Sequence, residues 1–207
     1  TYMSDKGIIN IERMTEMGGA IQQKGAFILE GFLNGLFAQN FPLYFGCSLT
    51  FEQAYGEVDG DSASVAELMA ILSSFARWPI RQDIAITGSM NQFGQVQAVG
   101  GVYAKVEGFY KLCKRRGLTG KQGVIIPYSN LNHLTIDEEI DEMIRLKKFN
   151  IYPVRSVFEA INLLFDQNIP LEDGHLKQEI DLLSFPLFKK VYEKFDHFYN
   201  IQVKNTH

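Results

Sequence analysis

The sequence predicts a fold of the mixed α and β class, either α/β or α+β, in which helices flank a mixed β-sheet. Two observations carry this prediction: short apolar runs typical of strands alternate with segments of helical apolar periodicity, and glycine or proline ends most of these segments. The chain has 207 residues, of which 46% are hydrophobic and 21% are charged. This composition is ordinary for a globular protein with one good-sized core.

Predicted strands dominate the first part of the chain. Residues 8–13 alternate imperfectly between apolar and polar side chains, and residues 26–29 and 48–51 supply two further candidate strands around an early glycine-rich turn. Residues 32–39 predict a short helix, which ends before Pro42.

The clearest predicted helix covers residues 62–77 and is stopped by Pro79. The apolar side chains that recur at helical spacing in this segment are Val65, Leu68, Met69, Leu72 and Phe75. A strand is predicted at 84–87. The turn at 90–94 then leads back through 96–99, which together predict a β-hairpin.

Helices and strands alternate through the second half of the chain. Gly100 and Gly101 break the preceding strand, and a helical period resumes over 102–116 before Gly117 ends it. This assignment places Lys105 in the first turn of a helix. The elements predicted beyond it are a strand at 123–126, a helix at 137–148, a strand at 151–154 and a serine-capped helix at 156–165.

The C-terminal residues predict a helical extension. A polar connector at 167–181 precedes an amphipathic stretch at 182–201 with an aromatic stripe. We take residues 1–166 as the main domain and residues 167–207 as an extension packed on it, with a subunit or partner contact as the alternative. The chain opens directly into the first predicted strand, so we expect that it was excised from a longer polypeptide.

Charge and residue spacing argue against several classes of function. The formal net charge of −4 and the pI of about 5.6 speak against a broad surface for nucleic acid or an anionic membrane. The basic run at 111–116 is interpreted as the solvated last turn of a helix. Cys47 and Cys113 are far apart and the four histidines lack metal-ligand spacing, so we expect reduced thiols and no metal site.

The sequence also predicts a protein without a membrane segment. Polar residues interrupt the most apolar stretch, 26–49, too often for a membrane span, and no signal peptide is visible. We therefore expect a cytoplasmic protein.

Ser62 and Lys105 are the candidate catalytic pair. Ser62 lies at the predicted loop-to-helix junction in Val58-Asp59-Gly60-Asp61-Ser62-Ala63-Ser64, where free backbone N–H groups and the helix dipole favour an oxyanion. A serine hydroxyl needs a base, and a lysine amine serves if an apolar pocket depresses its pKa. The backbone N–H groups from Asp61 to Ala63 would then stabilise the tetrahedral intermediate. The side chains expected to form the apolar wall are Val99, Val102 and Val106.

Structural interpretations compete with this chemistry. Ser62 could be an ordinary helix N-cap, although Ser64 with Glu67 fits a capping box better and leaves Ser62 free. Lys105 could be a surface residue of its helix, and Lys24 is a rival base. A Ser-His-Asp triad ranks lower, because all the histidines lie downstream in polar or terminal contexts.

Two neighbours complete the candidate site. Thr87 follows a predicted strand and is expected to hydrogen-bond Lys105 or Ser62. The alternative is that threonine occurs here only because it is favoured in strands. Asp61 precedes Ser62, and a carboxylate close to the amine would raise the lysine pKa. We therefore expect Asp61 to pair with Lys105 in a resting form and to turn away when substrate or assembly orders the loop.

Several separate motifs occur in an order that is specific to one family. They are Gly19-Ala20-Ile21-Gln22-Gln23-Lys24-Gly25, Phe51-Glu52-Gln53-Ala54-Tyr55-Gly56, Asp61-Ser62, Thr87-Gly88-Ser89, Gly94-Gln95-Val96 and Val99-Gly100-Gly101. Over residues 7–165 the chain resembles the proteolytic domain of the Lon family of ATP-dependent serine proteases, specifically its Lon-B-like branch. The resemblance implies an α+β Lon proteolytic-domain fold with a mixed β-sheet and flanking helices.

The resemblance also implies roles for individual residues. Ser62 corresponds to the family's nucleophile and Lys105 to its general base, while Thr87 borders the site. The supporting residues carried over with them are Asp61, Thr87, Gly60 and Ala63. The chain departs from the family where Gln22 replaces a common histidine and where Asp59 replaces a glutamate.

The function expected from the resemblance is that of a serine endopeptidase with a Ser-Lys dyad, which cleaves unfolded or damaged proteins through an acyl-enzyme. No Gly-x-x-x-x-Gly-Lys-Ser/Thr loop is present, so the ATPase motor, with its ATP and Mg²⁺, is expected outside this chain. A homo-oligomer, a ring of six subunits, is also implied. The alternatives are a non-catalytic Lon-like module for assembly or partner binding and an esterase or amidase for small substrates.

Overall fold

The fold is seen in a computed structural model that describes residues 1–14, 16–52, 56–177 and 180–205. The α-helices are α1 (Ile11–Met14), α2 (Ala20–Phe37), α3 (Ser64–Ala76), α4 (Val102–Arg116), α5 (Glu138–Arg145), α6 (Val157–Phe165) and α7 (Pro186–Asn205). The strands are β1 (Gly7–Asn10), β2 (Gly46–Leu49), β3 (Ile84–Ile86), β4 (Ser89–Met90), β5 (Val96–Gln97), β6 (Gly123–Pro127), β7 (Asn150–Val154), β8 (Leu171–Glu172) and β9 (His175–Leu176). Short 3-10 helices cover Tyr128–His133 and Leu182–Ser184. The predicted α+β class is confirmed.

A parallel sheet in the order β3-β6-β7 lies between two hydrophobic cores. Its middle strand, β6, is buried along its whole length, and successive side chains of a strand point to opposite faces. Ile125 therefore packs in the larger core, with side chains of α2, α3, α6 and α7. Val124 and Ile126 pack in the smaller core, with side chains of α4 and α5.

The remaining strand pairs form small separate sheets. β1 pairs with β2 in parallel, so the early strands predicted at 8–13 and 48–51 are present with shifted ends, and residues 11–14 form α1 instead. An antiparallel hairpin surrounds the predicted turn at 90–94, but its first arm is β4, because the strand predicted at 84–87 pairs as β3 with β6 in parallel. A second hairpin, β8–β9, lies within the segment that the sequence predicts as a polar connector. Between the named strands of the described chain, parallel and antiparallel pairings thus occur in different sheets, while Gly46 of β2 also forms an isolated antiparallel bridge with Tyr2.

Helix α2 is the main departure from the sequence prediction. The predicted strand at 26–29 is wrong, because these residues lie inside α2, whose second half contains the helix predicted at 32–39. Leu29, Leu33 and Phe37 recur every four residues and are at most 2% exposed, so burial of one face stabilises this helix. The glycines that weaken its local helical signal are Gly25, Gly31 and Gly35.

The later elements follow the sequence closely. Helix α4 has the predicted bounds and is followed by Gly117. Helix α6 is opened by Ser156 as predicted, and the Ser156 backbone N–H donates to the Glu159 carboxylate at 3.2 Å. The Ser156 hydroxyl is buried without a hydrogen-bond partner in the described chain. Helix α5 is shorter than predicted and ends at Arg145.

Helix α7 packs its aromatic stripe onto the larger core. The Phe195 ring centroid lies 5.4 Å from that of Phe37 in α2 and 4.6 Å from that of Phe75 in α3. Phe188 and Val191 on the same helix are fully buried. The helix therefore contacts elements of its own chain, and the division of the chain at residue 166 stays a prediction.

The two thiols are buried in different cores. Cys47 belongs to the larger core and Cys113 to the smaller one, and burial raises the pKa of both. Neither forms a disulfide. In the part of the chain that the structure describes, no helix combines the length and apolarity needed to cross a bilayer.

Candidate active site

Ser62 lies in a tight loop that leads into helix α3. Gly60 has a φ of 101°, a backbone conformation that favours glycine, and the chain then turns through Asp61 and Ser62 to the helix cap at Ala63. The cap has no side-chain hydrogen bond. The capping box predicted at Ser64 is wrong, because its Oγ donates to the Asp61 carbonyl oxygen at 2.8 Å. That bond tightens the turn and leaves the Ser62 hydroxyl outside the capping arrangement.

The main chain of Ser62 is fixed by the segment that follows β3. Its carbonyl oxygen accepts hydrogen bonds from the Gly88 N–H at 2.8 Å and from the Thr87 hydroxyl at 3.2 Å. The Val65 N–H donates in return to the Gly88 carbonyl oxygen at 3.2 Å. Because both partners belong to one buried segment, the position of Ser62 is tied to the central sheet.

Lys105 reaches this loop from the first turn of α4. Its Nζ donates to the Ser62 Oγ at 3.0 Å and to the Thr87 Oγ1 at 3.0 Å. The structure thus brings together three residues that the sequence places far apart, and the hydrogen bond predicted for Thr87 is present. A heavy-atom separation of this size is short enough for direct proton transfer.

The surroundings of the Lys105 amine change its pKa. Although Lys105 is exposed over much of its surface, partial burial of the amine lowers its pKa below the ordinary value. Burial favours the neutral form because the charged form loses solvation. A lower pKa increases the fraction of neutral amine at a given pH, and a neutral amine is the form that accepts a proton from serine.

Asp61 has a different partner from the one expected. Its Oδ2 accepts a hydrogen bond from the Ser89 hydroxyl at 2.7 Å, and no ion pair joins Asp61 to Lys105 in the described chain. The Asp61–Lys105 pair expected for a resting form is not formed in this arrangement of the loop, because the buried Ser89 hydroxyl binds the carboxylate. The exchange of partners between two forms stays a prediction.

Backbone donors are available beside the serine. Among the described residues, the N–H groups of Ser62 and Ala63 have no hydrogen-bond acceptor. They lie at the amino end of α3, where unpaired N–H groups and the helix dipole favour negative charge. That the N–H groups at Asp61 to Ala63 face a developing oxyanion stays a prediction.

Asp59 anchors the other end of the loop to helix α2. Its Oδ1 accepts from the backbone N–H groups of Ile21 at 3.2 Å and Gln22 at 3.4 Å. Gly19 permits this approach, since a Cβ there would lie 2.2 Å from the Asp59 carboxyl group. The Gln22 side chain is 3% exposed, and its amide atoms have no partner in the described chain.

The competing candidates lie apart from the pair. Lys24, the rival base, is exposed on α2. His133, His175 and His197 are also exposed, and none of them hydrogen-bonds Ser62. His207 lies outside the described residues, as do Gln53, Ala54 and Tyr55 of one family motif. In the described ranges, no cluster of His, Cys, Asp and Glu is arranged to hold a metal ion.

Sequence reasoning missed two residues that hold the site together. Ser89 was part of a recognised motif, but nothing in the sequence shows that it binds Asp61. Asn130 lies in a polar segment without periodicity, yet its amide donates to the Val99 carbonyl oxygen at 2.9 Å and accepts from the Val99 N–H at 3.0 Å. This pair of bonds fixes the chain just before α4.

Comparison with known proteins identifies the family. Residues 54–167 match the Lon protease (S16) C-terminal proteolytic domain. The chain belongs to this family. Two bacterial relatives are each named as an inferred Lon protease homologue: that of Haemophilus influenzae is 41% identical over 192 residues, 93% of this chain, and that of Escherichia coli is 47% identical over 165 residues, 80% of this chain.

The relatives are longer proteins. The matched regions cover 32% of the Haemophilus influenzae protein and 28% of the Escherichia coli protein, so the chain spans about a third of their length. An archaeal Lon protease of Methanocaldococcus jannaschii is 39% identical over 118 residues, which are 57% of this chain and 16% of that protein.

Proposed function

We propose that this chain is the proteolytic part of a serine endopeptidase, with Ser62 as the nucleophile and Lys105 as the general base. The observation that carries the proposal is the 3.0 Å separation between Lys105 Nζ and Ser62 Oγ. Burial of the amine supports it, because the lowered pKa of Lys105 favours the neutral base.

The first half-reaction would run as follows for a peptide bond placed at Ser62. Neutral Lys105 accepts the hydroxyl proton while the Ser62 oxygen adds to the carbonyl carbon, and the N–H groups of Ser62 and Ala63 stabilise the oxyanion. The Lys105 ammonium then gives this proton to the leaving amine as the peptide C–N bond breaks. An ester between Ser62 and the acyl part of the substrate remains.

The second half-reaction uses the same base. Lys105, again neutral, takes a proton from a water molecule that adds to the ester, and it returns the proton to Ser62 as the carboxylic product leaves. Thr87 accepts a hydrogen bond from Lys105, which orients the amine toward Ser62 throughout the cycle. Each step therefore needs only residues of this chain and water.

The substrate and the cellular setting are also part of the proposal. We also propose a cytoplasmic location. The Lon resemblance supports unfolded or damaged proteins as substrates and a homo-oligomeric ring of six subunits. It also supports ATP-dependent coupling to a motor, with ATP and Mg²⁺ held elsewhere, since no phosphate-binding loop occurs in this sequence.

The proposal is tested by hydrolysis of fluorescently labelled unfolded casein. We expect activity that is lost in Ser62→Ala and in Lys105→Ala and is retained in Lys24→Ala, a matched control at an exposed lysine. Small esters assayed in parallel separate an endopeptidase from an esterase, and the full-length protein with ATP is assayed alongside. Absence of Ser62-dependent hydrolysis in both proteins would overturn the proposal and favour a non-catalytic module.

A further inference from the structure

The Asp61 carboxylate lies beside the proposed dyad but is bound elsewhere. Asp61 directly precedes Ser62, whose Oγ is 3.0 Å from Lys105 Nζ. In this structure the carboxylate instead accepts a hydrogen bond from Ser89 at 2.7 Å. Asp61 and Ser62 are adjacent in one turn, so the Asp61 carboxylate is a charge next to the dyad that the Ser89 hydroxyl holds in place.

Movement of this charge toward the amine would lower the fraction of neutral base. An opposite charge within about 4–6 Å favours the charged form of an amine and raises its pKa. Each unit of increase removes about nine tenths of the neutral amine at a pH below the pKa. The position of one carboxylate therefore affects the fraction of Lys105 that can accept a proton from Ser62 at a given pH.

Ser89 is built to hold that carboxylate. It is 3% exposed and begins β4, where it pairs with Gln97 of β5. Its hydroxyl has one proton to donate, and the Asp61 Oδ2 at 2.7 Å is a closer acceptor than the Gln97 Oε1 at 3.4 Å. A hydrogen bond to a charged acceptor is also stronger than one to a neutral amide.

Other carboxylates on the elements around Lys105 are bound to partners of their own. Asp59 in the same loop accepts N–H groups of α2, and Glu107 in α4 pairs with Lys111 at 2.7 Å. Asp137, before α5, accepts from the Tyr103 hydroxyl at 3.1 Å. Asp61 is therefore the carboxylate whose release would change the charge at the dyad.

We propose that Ser89 is a positioning residue, which holds the Asp61 carboxylate away from the Lys105 amine and so keeps the base in its neutral form. The role of Ser89 in catalysis rests on the proposed function. Its effect on the pKa of Lys105 does not depend on activity, because it concerns only the position of the Asp61 charge relative to the Lys105 amine.

The test is a direct titration of Lys105 by NMR of its side chain, assigned with Lys105→Arg. In Ser89→Ala we expect the pKa of Lys105 to rise by about one unit or more, because Asp61 is released. In Ser89→Ala combined with Asp61→Asn we expect it to return to the wild-type value. Ser129→Ala, at an exposed serine, is the matched control and should change nothing.

The same variants are compared in the casein assay. Ser89→Ala should move the acid limb of the activity profile to higher pH by the same amount, about tenfold less activity per unit on that limb, and leave the alkaline plateau intact. A lower plateau without a shift would indicate a purely structural role and overturn the inference. An unchanged Lys105 pKa in Ser89→Ala, or no restoration in the double variant, would also overturn it. If the wild type hydrolyses nothing, the proposed function fails, and the titration still decides the role of Ser89.

Discussion

Thr87 connects the proposed base to the backbone of the proposed nucleophile. Its hydroxyl accepts from Lys105 Nζ at 3.0 Å and donates to the Ser62 carbonyl oxygen at 3.2 Å. Thr87 itself is 6% exposed, and its N–H donates to the Ile125 carbonyl oxygen of β6 at 3.1 Å. Thr87 thus links both Ser62 and Lys105 to the central sheet.

Replacing Thr87 with valine should lower activity without unfolding the chain. Valine keeps the branched shape but has no hydroxyl, and a hydrogen bond to a charged group is worth about 1.5–3 kcal/mol. We expect kcat/KM for an unfolded substrate to fall by about 10- to 100-fold. Thr135→Val, at an exposed threonine, provides the control. Wild-type kcat/KM in Thr87→Val would show that the hydroxyl has no part in the reaction.

At the scale of elements, the start of helix α4 decides where Lys105 lies. The chain leaves β5, passes Val99, and turns at Gly101, whose φ of 67° suits glycine, before α4 begins. Asn130 pairs with both backbone groups of Val99, as a neighbouring strand would. The first turn of α4 is then closed by the Lys105 N–H, which donates to the Gly101 carbonyl oxygen at 3.2 Å.

Loss of the Asn130 amide should disturb catalysis through the position of Lys105. In Asn130→Ala both Val99 groups lose their partner, which costs about 1–3 kcal/mol of stability. We expect kcat to fall more than KM rises, because the base moves while substrate-binding surfaces remain. Steady-state kinetics and urea unfolding measure the two effects, with Asn132→Ala on the same 3-10 helix as control. A change confined to stability would contradict the positioning role.

Helix α7 should unfold together with the elements it covers. Phe195 contacts Phe37 of α2 and Phe75 of α3, so Phe195→Ala should lower the free energy of unfolding by about 3–5 kcal/mol. Trp78, the only tryptophan in the sequence, reports the transition by fluorescence, because Lys190 of α7 lies 5.1 Å from its ring. His197→Ala on the exposed side of the helix is the control. A separate transition for α7 would show that it is an independent unit.

At the scale of the whole molecule, the candidate site combines residues from elements of both cores. Ser62 precedes α3, whose buried face belongs to the larger core, and Lys105 belongs to α4, whose buried face belongs to the smaller one. The central sheet separates these cores and supplies Thr87 at the end of β3. The distance between serine and lysine therefore depends on the packing of both layers against the sheet.

Local patterns in the sequence predict several elements of this arrangement. The bounds of α4 and the turn of the β4–β5 hairpin agree with the expectations. No local pattern shows that Ser62, Lys105 and Thr87 meet, because they are far apart in sequence, and the family resemblance is what implies it. The strand predicted at 26–29 is wrong because glycines in α2 weaken the local signal of a helix that tertiary burial stabilises. The sequence also does not show that Ser89 binds Asp61, because only folding brings these two residues together.

The most direct test of the Ser-Lys dyad is acylation of Ser62 by an activated ester across a range of pH, followed by mass spectrometry of the peptides. The dyad predicts an acyl group on Ser62, a rate that rises with pH as Lys105 loses its proton and then levels, and a midpoint below the ordinary lysine pKa. It also predicts that Lys105→Ala abolishes this labelling while Lys24→Ala does not. The dyad would be contradicted if only other residues were acylated, or if Ser62 were acylated at the same rate in Lys105→Ala as in the wild type.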